Sequence, residues 1–258
     1  MAVDPLTILD EVGAVTGDAV SARRILPLLD LTSLRGDESE AEIRELCARA
    51  VDRGVAAVCI PPRHLAPARA GLRGSGVRLA TVANFPAGGE DLLAVAEEVR
   101  RAVAEGAQEV DVVAPLEAVR AGDVELAGEL VGLCREAAGP ATILKLILET
   151  GLLAAPDLVT AVARAAVMAG TDFLKTSTGK RQPGATLEAA ALLLGVIREA
   201  GGEVGLKLAG GIRTLEDAAP YLALVDRVMG EGWATPARLR FGASRLLEDL
   251  VEHISRNG

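Results

Sequence analysis

The sequence predicts an α/β fold, a single (β/α)8 TIM barrel over residues 1–258 with an extra N-terminal helix. Eight short runs of aliphatic and β-branched residues recur along the chain, and each is followed by a longer segment rich in Ala, Leu, Glu and Arg. The runs are spaced by roughly thirty residues, about the length of one βα unit. They are apolar at successive positions, as in parallel strands covered on both faces.

The predicted strands follow one another without a linker or low-complexity segment between them. They are residues 25–31, 56–60, 78–84, 109–114, 143–149, 173–178, 205–210 and 239–244. The extra helix is expected around residues 6–20. The segments between strands have the spacing of amphipathic helices, for example residues 40–51 before Gly54, and likewise 90–103 and 156–169. A doubly wound open sheet is less favoured, because no glycine-rich fingerprint follows the first strand.

Composition and charge exclude several classes of function. With 27 Lys+Arg against 36 Asp+Glu the formal net charge is −9, and there are only five aromatic residues, which argues against nucleic acid as a partner. No uncharged run approaches the length of a membrane span, and the acidic N-terminus lacks the basic region of a signal peptide.

The few cysteines and histidines restrict the chemistry further. Cys47, Cys59 and Cys134 are odd in number and form no CxxC pair, which favours a reducing, cytoplasmic location. Only two histidines are present, so neither a His-rich zinc site nor a Ser-His-Asp triad is expected. We therefore expect no metal and no cofactor.

Charged residues stand inside several of the predicted strands. Lys145, Lys175 and Lys207 lie in three consecutive strands, Asp111 lies in the strand before them, and Asp30 lies near the end of the first strand. Such residues are costly inside a barrel unless they are paired or functional. Three lysines against one acid are poorly balanced for a structural ion-pair network, so the pattern favours catalysis.

Crowded, buried lysines are suited to imine chemistry. Burial and a neighbouring ammonium both lower the pKa of a lysine towards neutrality, and the neutral amine can then attack a carbonyl carbon. A protonated imine is an electron sink that lets an adjacent C–C bond break, as in a metal-free aldolase. Asp111 could carry protons beside the imine or serve only as a counter-ion. Composition alone does not choose between Lys175 and Lys207 as the nucleophile.

Three glycine-containing turns follow predicted strands six, seven and eight. In a (β/α)8 barrel these turns meet at the C-terminal face, where phosphate is commonly bound. They predict a site for a small phosphorylated aldehyde or sugar. The candidate substrate-binding residues in the turns are Thr178, Gly179, Lys180, Gly210, Gly211, Arg213, Gly242 and Ser244.

The sequence resembles the deoxyribose-phosphate aldolase family almost from end to end. The stretches that carry the resemblance are LLDLTSL (28–34), VANFPAG from Val82, EVDVV (109–113), LKLILETG (144–151), DFLKTSTGK (172–180), GLKLAGGIRT (205–214) and FGASRLL (241–247). The resemblance implies a class I aldolase that reversibly cleaves 2-deoxy-D-ribose 5-phosphate to D-glyceraldehyde 3-phosphate and acetaldehyde.

The resemblance also implies a role for each matching residue. Lys175 matches the Schiff-base lysine, and Lys207 the second lysine that lowers its pKa. Asp111 matches the acid that shuttles protons with a water, Lys145 the lysine that supports it, and Asp30 the carboxylate facing the sugar hydroxyls. The positions matching the phosphate site are Gly179, Lys180, Gly210, Gly211, Arg213, Gly242 and Ser244.

The chain departs from the family pattern at two places, and two other functions remain open. Arg245 stands where some members have a second serine, so it could contact phosphate or point outward. The tail lacks the C-terminal tyrosine that aids proton transfer in some members. The alternatives are another Schiff-base phosphosugar aldolase or transaldolase-like barrel, and a non-catalytic barrel that binds phosphometabolites. A homodimer is expected by analogy.

Overall fold

Eight parallel strands form a closed barrel in the computed structural model, which describes residues 4–153 and 155–256. Each strand pairs with the next along the chain, and the last pairs with the first. The strands are β1 Leu29–Thr32, β2 Ala57–Cys59, β3 Arg78–Ala83, β4 Glu109–Val113, β5 Ile143–Ile147, β6 Phe173–Lys175, β7 Gly205–Ala209 and β8 Leu239–Ala243. The predicted (β/α)8 barrel is thus confirmed.

Helices follow the strands and surround the barrel. They are α1 Leu9–Gly13, α2 Ala19–Ile25, α3 Glu40–Arg53, α4 Leu65–Gly71, α5 Leu92–Ala104, α6 Leu116–Arg120, α7 Val124–Ala138, α8 Pro156–Met168, α9 Leu187–Glu199, α10 Leu215–Met229 and α11 Leu246–Arg256. Short 3₁₀ turns occupy Pro5–Ile8, Leu26–Leu28, Pro62–His64, Thr150–Leu152 and Glu231–Trp233.

The N-terminal region differs from the single predicted helix over residues 6–20. It contains a 3₁₀ turn, α1 and, after a break, α2. The break has a local cause, because Asp18 caps α2 by accepting a hydrogen bond from the Ser21 amide while the Ser21 hydroxyl accepts one from the Asp18 amide. A side chain at Gly17 would collide with Leu215, so this segment packs closely on α10.

The first predicted strand, residues 25–31, also begins too early. Ile25 ends α2, and Pro27 lies in the 3₁₀ turn that follows. Proline has no N–H to donate to a neighbouring strand, and in this turn no such hydrogen bond is needed. Strand β1 therefore starts at Leu29.

Side chains along each strand point alternately to the helices outside the barrel and to the barrel interior. In β4, Val110 and Val112 belong to the main apolar core with the helices, while Glu109 and Asp111 point to the opposite face, inside the barrel. On β2 and β3 the barrel interior is instead filled by a separate cluster of small apolar side chains, Ala57, Cys59, Ala80 and Val82. The charges buried inside the barrel are thereby confined to the remaining strands.

No helix within the described residues is long and apolar enough to cross a membrane.

Candidate active site

Asp111 is the centre of the predicted catalytic group, since it contacts all three buried lysines. Its Oδ2 accepts hydrogen bonds of 2.7 Å from Nζ of Lys175 and 2.7 Å from Nζ of Lys207. Its Oδ1 accepts one of 2.8 Å from Nζ of Lys145. Strand register causes this convergence, because Asp111 lies beside Lys145 across β4 and β5, and Lys175 beside Lys207 across β6 and β7.

Two further buried charges belong to the same group and were missed from the sequence. Glu109 accepts a 2.6 Å hydrogen bond from Nζ of Lys145, and Arg240 donates to Glu109 at 2.9 Å and to Asp30 at 2.6 Å. Asp30 also pairs with Lys207, at 2.5 Å. The barrel thus holds three acids and four cations, and the expected ratio of three lysines to one acid is wrong.

The pKa of Lys175 is lowered, whereas those of the other two buried lysines are raised. Burial lowers the pKa of Lys175, Asp111 opposes this, and the ammonium of Lys207 lowers it again. For Lys207 burial acts in the same direction, but contact with Asp111 and Asp30 outweighs it and raises the pKa. Asp111 and Glu109 likewise outweigh burial and raise the pKa of Lys145. Lys175 is therefore the amine that loses its proton most readily.

The carboxylates of Asp111 and Asp30 are held in their ionised form. Burial alone would raise both pKa values, but the cations around each carboxylate outweigh it. The result is a pKa well below the usual range for Asp111, next to three lysines, and a lowered pKa for Asp30, next to Lys207 and Arg240.

A cavity of about 520 Å³ opens at the C-terminal ends of the strands, and Lys175 lies in its wall. Lys207, Asp111, Lys145 and Asp30 are not among the residues that line it; they lie beneath. All the other predicted substrate-binding residues line the cavity, namely Thr178, Gly179, Lys180, Gly210, Gly211, Arg213, Gly242 and Ser244.

The cavity is suited to an anion. Besides Lys175, its lining includes four cations, Arg35, Lys180, Arg213 and Arg245, and no Asp or Glu is among the described residues that line it. This contrasts with the net charge of −9 for the whole chain. Helix α11 begins just beyond Ser244, so its N-terminal dipole also favours negative charge here. The sequence had not indicated Arg35, which comes from the loop after β1.

A family model for DeoC/LacD family aldolases matches residues 24–246. The chain belongs to the DeoC/LacD aldolase family. The resemblance expected from the sequence is thereby confirmed, and the protein is an aldolase, a carbon–carbon lyase on a TIM barrel.

Solved structures with deoxyribose-phosphate aldolase assignments resemble this aldolase over nearly its whole length. A provisionally assigned one from Coccidioides immitis is 28% identical, with a TM-score of 0.80 and 96% of each chain covered. Another provisional one, from Toxoplasma gondii ME49, is 23% identical, with a TM-score of 0.85, covering 93% of this chain and 98% of that one. The tetrameric enzyme from Aeropyrum pernix is 24% identical, with a TM-score of 0.74 and 98% of each chain covered. The last two bear on the fold alone.

Glycine is required at two points of this aldolase's cavity. Gly210 has φ +90, and a Cβ there would lie 2.9 Å from Cα of Gly184. At Gly242 a Cβ would lie 3.0 Å from Cε of Lys207, so a larger residue would displace the lysine. The backbone turns and the buried cations are therefore packed directly against each other.

The loop after β6 is anchored by a buried acid of the ETG segment. Glu149 has a left-handed backbone, φ 53, and accepts a 2.5 Å hydrogen bond from the hydroxyl of Thr178 and 3.3 Å bonds from its amide. This contact fixes the turn that carries Lys180 a few residues beyond Lys175.

Other concave or ligand-rich places lie apart from this site. A larger opening, about 910 Å³, is found at the opposite end of the barrel and is lined by strand starts such as Arg78, Ile143 and Phe173. Among the described residues, the one group of three candidate metal ligands is Glu216, Asp249 and His253 on α10 and α11. None of these three lines the cavity that contains Lys175.

Proposed function

We propose that this aldolase, acting as one barrel domain, reversibly cleaves 2-deoxy-D-ribose 5-phosphate to D-glyceraldehyde 3-phosphate and acetaldehyde through an imine on Lys175. One observation carries the proposal. Of the buried charged group, Lys175 alone lines the cation-rich cavity, and of the three buried lysines it is the one whose pKa is lowered. A nucleophile and an anion site therefore share one cavity.

The proposed chemistry begins with the neutral amine of Lys175. Nζ adds to the C1 aldehyde of the open-chain sugar, and loss of water gives a protonated imine. The C3 hydroxyl then loses its proton and the C2–C3 bond breaks, its electron pair moving to the imine nitrogen. Glyceraldehyde 3-phosphate leaves, and the remaining enamine is protonated at C2. Hydrolysis releases acetaldehyde and restores the amine. The protonated imine is the electron sink, so the scheme needs no metal ion.

Asp111 is the proposed proton carrier for these steps. Its Oδ2 lies 2.7 Å from Nζ of Lys175, close enough to take a proton from the amine during addition and return it as water leaves. Because the buried lysines around it keep its pKa low, it holds a proton only briefly and passes it to substrate or water. Lys207 keeps its own proton and maintains the positive field that favours a neutral Lys175. Asp30, predicted to face the sugar hydroxyls, lies beneath the cavity wall.

The 5-phosphate is proposed to bind where the three turns meet. Lys180 and Arg213 supply charge, and the glycine turns together with the start of α11 supply N–H donors. Arg245 lines the same cavity and is proposed as a phosphate contact in place of the second serine. A panel of phosphorylated sugars distinguishes this substrate from those of other Schiff-base aldolases.

We also propose a cytoplasmic location and self-association. Cys47, Cys59 and Cys134 are all free and buried, which suits a reducing compartment. The predicted homodimer is tested by size-exclusion chromatography with light scattering.

Trapping the imine tests the proposed function. The chain has only four lysines, Lys145, Lys175, Lys180 and Lys207, so an adduct is readily assigned. Acetaldehyde with borohydride should leave an ethyl group on Lys175, identified by mass spectrometry of the peptide. K175A should lose both adduct and turnover, while K180A, which changes only the expected phosphate site, should still trap acetaldehyde. An adduct on another lysine in the wild-type protein would overturn the assignment.

A further inference from the structure

The charges buried inside the barrel form a closed ring of alternating sign. Six side chains take part, and each touches the next. In order around the ring they are Asp111, Lys145, Glu109, Arg240, Asp30 and Lys207, which returns to Asp111. The six distances between neighbouring charged atoms lie between 2.5 and 2.9 Å.

Each cation of the ring contacts two carboxylates, whereas Lys175 contacts one. Lys145 pairs with Asp111 and Glu109, and Arg240 with Glu109 and Asp30. The ring therefore holds three positive and three negative charges and is neutral. Lys175 is bound to it only through Asp111, as a seventh, unbalanced charge. A buried charge without its own counter-ion is unfavourable, so the neutral state of the whole group is reached when Lys175 gives up its proton.

We propose that Glu109 and Arg240 are positioning residues whose opposite charges cancel within this ring, so that the balance between them sets how readily Lys175 gives up its proton. The inference rests on the proposed function, which assigns the nucleophile to Lys175. Neither Glu109 nor Arg240 lines the cavity at the C-terminal ends of the strands. Both therefore act on the reaction through other side chains.

The residues around Glu109 and Arg240 hold the Arg240 side chain in position and leave the net charge of the ring almost unchanged. Arg240 also donates from Nε to the carbonyl of Pro236 and lies 5.6 Å from the ring centre of Phe173, so its guanidinium is held on several sides. Arg78 lies 3.7 Å from Glu109 but is half exposed at the N-terminal mouth, where solvent screens its charge. The ring is therefore close to neutral as seen from Lys175.

The titratable groups that act directly on Lys175 come from three strands. They are Asp111 on β4, Lys207 on β7 and Cys59 on β2. Lys145 and Asp30 lie one contact further away, since Lys145 pairs with Asp111 and Asp30 pairs with Lys207. Burial raises the pKa of the Cys59 thiol, so it stays protonated and contributes no charge. The other cations that line the cavity, Arg35, Lys180, Arg213 and Arg245, are exposed, so solvent screens their charges. The buried charge around Lys175 is thus set by the ring.

Changing one charge of the pair should shift the protonation of Lys175 in a direction fixed by its sign. E109Q leaves the ring with a net positive charge, so Lys175 should lose its proton at lower pH. R240Q leaves a net negative charge, so the proton should be retained to higher pH. The double variant E109Q/R240Q is neutral again. At an effective dielectric constant of about 20 and a separation on the order of 10 Å, each single change is worth about 1 pH unit.

The test is the pH dependence of imine formation with acetaldehyde, measured as the initial rate of borohydride-trapped adduct on Lys175. The midpoint of the rise should move down in E109Q, up in R240Q and back towards the wild-type value in the double variant. The exposed pair Glu203 and Arg238 provides matched controls, and E203Q and R238Q should leave the midpoint unchanged. If R240Q does not fold, R240K keeps the charge and should preserve the midpoint.

Two results would overturn the inference, and both differ from failure of the proposed function. Equal midpoints in wild type, E109Q and the double variant would mean that the ring charge does not act on Lys175. Shifts of the same sign in E109Q and R240Q would indicate packing damage and not charge balance. If the proposed function itself is wrong, wild-type protein gives no adduct on Lys175 at any pH.

Discussion

Replacing Lys207 by methionine tests the central electrostatic claim of the site. Methionine keeps an unbranched chain of similar length but removes the ammonium that contacts both Asp111 and Asp30. The buried group then holds three acids and three cations, with Lys175 counted among the cations. Lys175 becomes a necessary counter-ion of Asp111, and we expect it to hold its proton much more strongly.

The magnitude follows from one shared oxygen. Lys175 and Lys207 both donate to Oδ2 of Asp111 at 2.7 Å, so their nitrogens are no more than about twice that distance apart. Two unit charges about 5.4 Å apart repel by about 3 kcal/mol at an effective dielectric constant of about 20. This corresponds to a rise of about 2 units in the pKa of Lys175. At a pH below both pKa values, the neutral fraction in the variant should therefore be about 100-fold smaller than in the wild type.

The assay is the pH dependence of imine trapping with acetaldehyde, a substrate without phosphate. Imine formation needs the neutral amine, so the rate rises as pH passes upward through the pKa of Lys175. In K207M this rise should be displaced to higher pH by about 2 units. K180M, which removes the lysine of the phosphate turn, serves as control and should keep the wild-type profile. An unshifted or downward-shifted midpoint in folded K207M would refute the claim that Lys207 lowers the pKa of Lys175.

Two further predictions concern the cavity wall. R245A should raise KM for 2-deoxy-D-ribose 5-phosphate about tenfold, which corresponds to the loss of one charge-assisted hydrogen bond. It should leave the kinetics with unphosphorylated 2-deoxyribose unchanged. An equal effect on both sugars would show that Arg245 does not contact phosphate. G210A should lower the free energy of unfolding by about 2 kcal/mol, because alanine is strained at φ +90 and its Cβ would meet Gly184. Urea unfolding measures this change. The control is G195A in α9, where nothing lies within 4 Å of the added Cβ and stability should not fall.

The barrel could be predicted because its signal is repeated eight times along the chain. Each strand is mostly apolar at successive positions, and each helix shows its own amphipathic spacing. A misplaced boundary in one βα unit therefore does not change the number of units or the predicted fold. The boundaries were harder where a local contact decides them. The capping box of Asp18 with Ser21 divides the N-terminal helix. Strand β1 begins only after Pro27, although the residues on both sides of this proline are apolar.

The buried lysines, Asp111 and Asp30 were also predictable, but Glu109 and Arg240 were not. A lysine inside an apolar run is conspicuous, whereas Glu109 and Arg240 stand at the first and second positions of their strands, where charges are ordinary. Only closure of the barrel brings β8 beside β1 and so places Arg240 between Asp30 and Glu109. Counting inward positions from Asp111 two residues back would have pointed to Glu109, since both lie on one face of β4.

The residue types in the ring also favour Lys175 as the side chain that loses its proton. Arginine cannot be deprotonated in proteins, so Arg240 contributes a permanent charge to the ring whatever the pH, whereas a lysine loses its proton when its surroundings favour the neutral form. Lys145 and Lys207 each contact two carboxylates, which hold them charged, whereas Lys175 contacts only one. Of these side chains, Lys175 is therefore the one that loses its proton, and it is also the one that a substrate in the cavity can reach.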